Sequence, residues 1–543
     1  MDVPDEDAPL LGDRAASVSR PAAAVQRSTT LCILGNELCE RVAYFAIATN
    51  LVVYFTDELG YTNSEADVHV SAWSGACYLT PLVGAWYADG IAGRYRTIFL
   101  FSLIYIVGLV QLAAGTLLQP PSRVMSLMAL YIIALGTGGI KPCISAFGAE
   151  QFGDAPEEEA RKQSFFHFFY GVINVGALFA TLVIVPLQEH TSWTVGYALP
   201  TLCMAASLCV FRSGRSIYRQ TPPQGSALTR AGRVLASAGW RTLRARLQAL
   251  GCCGGGGGRS GGREAPAHWL LRASAAHGGS FPAHQVAEVM QVWRLRGVFL
   301  SCVLFWAIYN QMNGTFINQG RQMDCRLGGG GVSVPAATVS TANILAVLGF
   351  IPVADRLLPR LGWSRLFRIG AGMGVVGVAM LAAALVEWWR RSLAAAGATF
   401  EVREHKVTLE AARLSVLWQV PQYALIGVGE VLASVGTLEL FYAESPPSMR
   451  SVCMALQLLS ASIGAYSSAL LVQLVDACTR ARPWITENLN HGHLDRFFLL
   501  LALLMVANLL LFGRVCRAFN DRTVADAAGS AADPQKAARD TRL

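Results

Sequence analysis

Two carboxylates and a guanidinium, Glu37, Glu40 and Arg41, sit inside the apolar stretch LCILGNELCERVAYFAIATNLVVYF, residues 31 to 55. A bilayer is crossed by roughly 20 mostly apolar residues, and a charge near its centre costs on the order of 2.5–3.5 kcal/mol on insertion scales. Three such groups cannot face lipid. Positions 37, 40, 41, 44 and 48 recur at helical spacing, so they line one stripe that must look into protein or a watery cavity. Two more charges are set in apolar runs. Lys141 lies in YIIALGTGGIKPCISAFG beside Gly136, Gly138 and Gly139, which favour close helix packing. Glu430 lies in VPQYALIGVGEVLASVG after Pro421, where a kink is expected. Together these are three acids and two bases, one negative charge in excess when all are ionised. The missing positive charge can be a proton on a carboxylate or an ammonium on a substrate. Burial opposes the charged form of a carboxylate and a nearby base favours it. A Glu held between the two effects titrates as its partners move, which is what coupling to a proton gradient requires. The plainer reading, ion pairs that only knit helices together, is hard to reconcile with the cost of charges on several helices.

These groups need helices to hold them. The chain is 53% hydrophobic and 15% charged over 543 residues, with a mean hydropathy of +0.40; about 25% charge is usual for soluble domains. Twelve spans are expected, at 29–55, 69–88, 97–118, 125–148, 163–187 and 192–211, then 297–318, 335–356, 366–388, 412–441, 450–477 and 495–516. Six plus six around a hydrophilic centre is an all-α membrane protein of two six-helix bundles, the major facilitator architecture. The expected units are a disordered N-terminus (1–28), a first bundle (29–211), a basic Gly-rich loop (212–296), a second bundle (297–516) and a tail (517–543). Between Arg212 and Arg296 stand thirteen arginines against Glu264 and Glu288, and Arg94, Arg96, Arg356, Arg360, Arg365 and Arg368 fall in loops on the same side. That side is expected to be cytoplasmic. The loop carries LTRAGRVLASAGWRTLRARLQAL, a basic helix suited to an anionic leaflet, then the flexible CCGGGGGRSGGR. No nucleic-acid reader motif accompanies the basic charge. The thirteen cysteines follow no metal or disulfide spacing. No nucleophile triad or metal cluster stands in the spans, so neither an enzyme nor a cofactor is expected.

At the charged positions the chain resembles the proton-coupled oligopeptide transporter family, in its plant nitrate/peptide branch. Glu37-Leu-Cys-Glu40-Arg41 stands at the family's ExxER signature, followed by Tyr44 and Phe45. Asp89, Gly93, Arg94 and Tyr95 match its turn after the second span. GTGGIKPCISAFGAEQF carries the fourth-span Lys141, FFHFFYGVINVGA the fifth-span Asn174, and LWQVPQYALIGVGE with LELFYAESP the tenth-span Glu430. ENLNHGHLD, leading into the last span, is similar to the plant-type branch. The resemblance implies that Glu37, Glu40, Arg41 and Lys141 couple protons, with Glu40 the protonation site. It implies that Lys141 and Glu430 form a cytoplasmic gate between the bundles. It also implies that Tyr44, Asn174, Tyr309, Trp418, Glu430 and Tyr442 line the substrate site, Glu430 receiving an ammonium.

Two departures bear on the cargo. Peptide-transporting bacterial and animal members carry an arginine where this chain has Ala48, and its acidic partner aligns with Asn310, so both halves of that pair are gone together. The histidine of nitrate-transporting relatives aligns with Tyr309, which supplies no protonatable cation. The expected function is proton symport of di- or tripeptides or histidine-like amino acids. The alternatives are nitrate or another small anion, and a nutrient-sensing receptor or scaffold. Partners are protons, a small-molecule substrate and the lipid bilayer. Thr97, in Arg94-Tyr-Arg-Thr97, matches a position phosphorylated in a nitrate-transporting relative; a helix-capping role is the simpler reading. Glu6, Leu10 and Leu11 have the form of an acidic dileucine signal for an adaptor, which would suit a vacuolar or lysosomal membrane as well as the plasma membrane.

Overall fold

The computed structural model describes residues 23–532 except 119, 153–155, 224, 250–267, 328–331, 405–406 and 447–448. Glu6, Leu10 and Leu11 lie outside the described residues, as do Cys252 and Cys253. Helices α1 (Ala23–Ala48), α2 (Asn63–Tyr87), α3 (Arg94–Gly115), α4 (Arg123–Ile140), α5 (Pro156–Phe179) and α6 (Trp193–Ser213) build the first bundle. The central segment holds α7 (Ala227–Ala249) and α8 (Ala283–Arg294). The second bundle is α9 (Arg296–Tyr309), α10 (Thr315–Arg321), α11 (Thr341–Arg360), α12 (Arg365–Ala395), α13 (Val420–Glu430), α14 (Arg450–Cys478) and α15 (Leu494–Ala532). Short hairpins β1–β2 (Arg326–Leu327, Val332–Ser333) and β3–β4 (Thr399–Glu404, Val407–Ala412) cap loops, the second in register Thr399↔Ala412. We call near the face where α1 begins and α15 ends, and far the face reached by the chain after α1.

Among the described residues nine helices are long and apolar enough to cross a membrane, or eleven if each of two bent pairs is one span. The remaining expected span is α2. Its 25 residues are long enough, but buried Asn63, Asp67, Ser71 and Ser74 lower its hydropathy. It starts six residues before the expected 69 because Thr62 and Glu65 form a capping box: Glu65 N donates to Thr62 Oγ1 at 3.3 Å, and Thr62 N to Glu65 Oε2 at 3.0 Å. α1 starts at Ala23 rather than 29, and bends by 45° before continuing as Leu51–Glu58. Residue 412, expected to open the tenth span, closes β4 instead, and Pro421 sits in the first turn of α13, where a missing N–H costs nothing. The irregularity expected at Pro421 lies beyond Glu430, as a π-helical stretch from Val431 to Val435. The tail set off from 517 continues α15 as helix to Ala532.

Three helices of the first bundle meet at glycines, where there is no room for a Cβ. A Cβ on Gly84 would lie 2.1 Å from Gly138 O, and one on Gly139 would lie 2.1 Å from Phe101 Cγ. α2, α3 and α4 therefore touch through backbone and ring, and move as one body. In the second bundle, Glu387 and Arg390 on α12 are fully buried and paired at 2.7 Å. Arg390 Nη1 also donates to Asn490 Oδ1 at 2.6 Å, and Gln319 Nε2 to Glu387 Oε2 at 3.0 Å. This network ties α12 to α10 and to the ENLNHGHLD segment.

The central segment is more than a loop. α7 packs Ala227, Ala231, Val234 and Ala238 against Leu270, Val286 and Val289, and against Met449 and Val452 at the start of α14. Its apolar stripe is thus spent on protein, not on lipid as the sequence suggested, leaving Trp240 and Leu243 exposed.

Candidate functional site

α1 presents its charged stripe to the interior because nothing else would tolerate it. Glu37, Glu40 and Arg41 are all buried. Arg41 Nε lies 3.2 Å from Glu37 Oε1, and the guanidinium is ion-paired with Glu40. One turn on, Tyr44 lies under the Arg41 guanidinium at 5.3 Å and stacks on Trp73 of α2 with centroids 5.7 Å apart. Trp73 is fixed by its indole N–H, which donates to Leu130 O at 2.9 Å. Arg41 packs against Gly176 of α5, where a Cβ would approach its own to 2.8 Å.

Lys141, just past the end of α4, sits with its ammonium 5.0 Å from the Tyr44 ring and 4.0 Å from the Tyr78 ring. Two aromatic faces hold a cation at a modest cost in lost hydration. Across the bundles, Glu430 accepts a hydrogen bond from Tyr309 Oη at 2.7 Å. Among the described residues no ion pair joins Lys141 and Glu430, so the expected gate is not made as a salt bridge in this conformation. Asn174 on α5 donates to Tyr170 O at 2.8 Å, and Tyr170 is within electrostatic reach of Glu430.

The structure thus gathers Glu37, Glu40, Arg41, Tyr44 and Lys141 on one side, and Tyr309 with Glu430 on the other. It does not bring Trp418 or Tyr442 to them. Each stands twelve residues from Glu430, about 18 Å along a helix, and both are about half exposed. Trp418 packs edge-on against Trp389 at 4.9 Å on the far side of α12. Thr97 is buried in the first turn of α3, its hydroxyl donating to Gly93 O at 2.8 Å, and Gly93 rather than Thr97 is the N-cap. Tyr78 was missed by sequence reasoning. It lies on the α2 stripe of Asn63, Asp67, Ser71 and Ser74, whose spacing of four and three could have flagged it.

On the far face the bundles are locked. Arg321 donates to Asp57 Oδ1 at 2.5 Å and to Thr56 Oγ1 at 2.8 Å, Asn310 to Ser71 Oγ at 2.8 Å, and Thr338 to Thr181 O at 3.3 Å. Asp57–Arg321 joins the same two spans whose expected pair is lost at Ala48 and Asn310. Residues 95–487 match the model of the POT family. The chain belongs to the POT family.

NRT1/PTR FAMILY 8.3 of Arabidopsis thaliana is 36% identical to it over 88% of this chain and 89% of that protein. NRT1/PTR FAMILY 8.2 of the same plant is 37% identical over 88% and 91%. A solved auto-inhibited POT family peptide transporter superimposes with a TM-score of 0.71 at 25% identity, covering 90% of this chain and 96% of that one. The POT family transporter PepTSo gives 0.70 at 23% identity, over 91% and 98%. This POT family member is therefore a multi-span integral membrane transporter of the major facilitator fold, not an enzyme. Its family performs proton-coupled transport of peptides or small anions.

Proposed function

We propose that this transporter carries protons together with di- or tripeptides or histidine-like amino acids, by alternating access, toward the near face, which is the cytoplasmic one. The observation that carries the reading is the opposition of an acid and a base without an ion pair between them. Glu430 accepts from the neutral phenol of Tyr309, and the Lys141 ammonium rests on the faces of Tyr44 and Tyr78. A zwitterion fits that pair, its ammonium on Glu430 and its carboxylate toward Lys141 or Arg41. Nitrate would use the cations alone and leave Glu430 facing it with like charge.

The far-face contacts, with no ion pair between Lys141 and Glu430 among the described residues, support the reading of a carrier facing the cytoplasm. Protonation of Glu40 removes one of the two carboxylates that hold Arg41, leaving Glu37, and the guanidinium then competes for the substrate carboxylate. Proton and cargo so bias one two-state rocking equilibrium. The test is uptake of labelled dialanine, histidine and nitrate into proteoliposomes with an imposed pH gradient. Gradient-driven dialanine or histidine uptake, with nitrate neither moved nor competing, is the expected result. Nitrate uptake that dialanine does not inhibit would replace this reading with that of an anion carrier. Tight binding without flux would make the protein a sensor.

A further inference from the structure

Asp67 is a carboxylate that the scheme above does not use. It lies on α2 between Asn63 and Ser71, on the stripe facing the second bundle, and is 2% exposed. Asn63 Nδ2 donates to Thr486 O at 2.9 Å, and Ser71 Oγ accepts from Asn310 and lies 3.2 Å from Ser468 Oγ. Between them Asp67 Oδ1 accepts from Asn318 Nδ2 of α10 at 3.2 Å. The backbone opposite is cut away to admit it: a Cβ on Gly314 would sit 2.3 Å from Asp67 Oδ1.

No cation among the described residues is paired with this carboxylate. Its own helix offers Asn63 and Ser71. α10 and the turn before it offer Asn318 and Gly314, and Arg321, one turn further along, is engaged by Asp57 and Thr56. The chain after α1 contributes Asp57, held by that arginine. α14 presents Ser468, then the buried apolar Val472 and Val475. Two buried acceptors are left without a donor, Asp67 Oδ2 and Asn318 Oδ1. One hydrogen satisfies both. A carboxylic acid and a primary amide form a cyclic pair in which the amide N–H donates to one oxygen and the acid O–H donates back to the amide carbonyl.

We propose that Asp67 is a second protonation site of the cycle, distinct from Glu40, and that closing the far face requires it to take up a proton. When the bundles part there, Asp67 is a hydrated carboxylate. One proton from the far-face solution adds to Oδ2, no protein bond breaks, and the new O–H donates to Asn318 Oδ1 as the interface shuts. Without the proton, closure would bury a bare anion against an amide and a glycine, which is strongly unfavourable. Closure and proton uptake are therefore linked, and low far-face pH favours the closed state. The inference rests on the proton-coupled reading of the site and not on the choice of cargo.

The experiment is hydrogen–deuterium exchange of the full chain in nanodiscs without substrate, from pH 8 to 5.5, corrected for intrinsic exchange. Peptides covering 56–67 and 310–321 are followed. In the unaltered protein their protection should rise as pH falls. Asp67→Asn, a neutral isostere, should hold them at the low-pH level throughout. Asn318→Ala, which removes the acceptor, should move the midpoint about one pH unit toward acid. Asp67→Asn with an unchanged pH response would overturn the proposal. If that variant is unprotected everywhere, Asn318→Ala decides, and an unmoved midpoint overturns it. Failure of both dialanine and nitrate uptake, with the pH response intact, would sink the cargo reading and leave this one standing.

Discussion

Lys141 is kept in the interior by ring faces, and that predicts a contrast at its neighbour. Tyr78→Phe retains the face and should leave the KM for dialanine within about twofold. Tyr78→Leu removes a desolvated cation–π contact, about 1–2 kcal/mol, and should raise KM roughly tenfold in the same uptake assay. Glu40→Gln should abolish gradient-driven accumulation while sparing exchange of labelled for unlabelled substrate. Accumulation that still follows the pH gradient in that variant would remove Glu40 from the coupling. The charged stripe of α1 was readable in the sequence because its spacing is local and its cost in lipid is large. Asp57–Arg321 and Asp67–Asn318 were not, because the partners lie more than 60 residues apart in the chain, and Tyr78 showed only as a place on the polar stripe of α2, since a phenol carries no such cost. Trp418 and Tyr442 followed from family position rather than from any local signal, and the turns of helix between them and Glu430 carry them away from it.

At the scale of elements, ends and interruptions were harder to read than spans. The run Trp388-Trp389-Arg390-Arg391 looks like the exit from a membrane, yet α12 continues to Ala395 because Arg390 finds Glu387 one turn back and Asn490 beside it. Arg390→Met should leave Glu387 buried beside an amide, at a cost of about 3–5 kcal/mol. The expected readout is a lower apparent Tm in detergent. Adding Glu387→Leu should restore much of the loss, since an apolar pair replaces a buried ionic one at little net cost. A double variant worse than the single would show that the network does more than neutralise itself. α7 makes a similar point in the other direction. Its amphipathic pattern was plain in sequence, but the pattern alone could not say whether lipid or protein covers the stripe, and Met449 and Val452 at the start of α14 answered that.

At the scale of the molecule, two bodies joined by few far-face contacts should be easy to tip. Arg321→Ala removes the Asp57 ion pair and the Thr56 bond, and leaves Asp57 buried in the closed form. It should shift the population toward the form open on the far face, read as faster labelling of a cysteine introduced at position 63 by a membrane-impermeant reagent. Unchanged labelling would mean that the rest of the seam, which includes Asn63–Thr486, Asp67–Asn318, Ser71–Asn310 and Thr338–Thr181, holds the mouth without it. Rocking of this kind needs each half to stay rigid, and in the first half α2 and α4 are in direct backbone contact at Gly84, Gly138 and Gly139, with the Phe101 ring of α3 seated on Gly139. In a mutagenised population, single-base changes that turn any of these three codons into serine, aspartate or arginine should recur among null alleles. Such alleles would be mistaken for lesions in the permeation path, although they would act by prying apart the helices that carry its side chains.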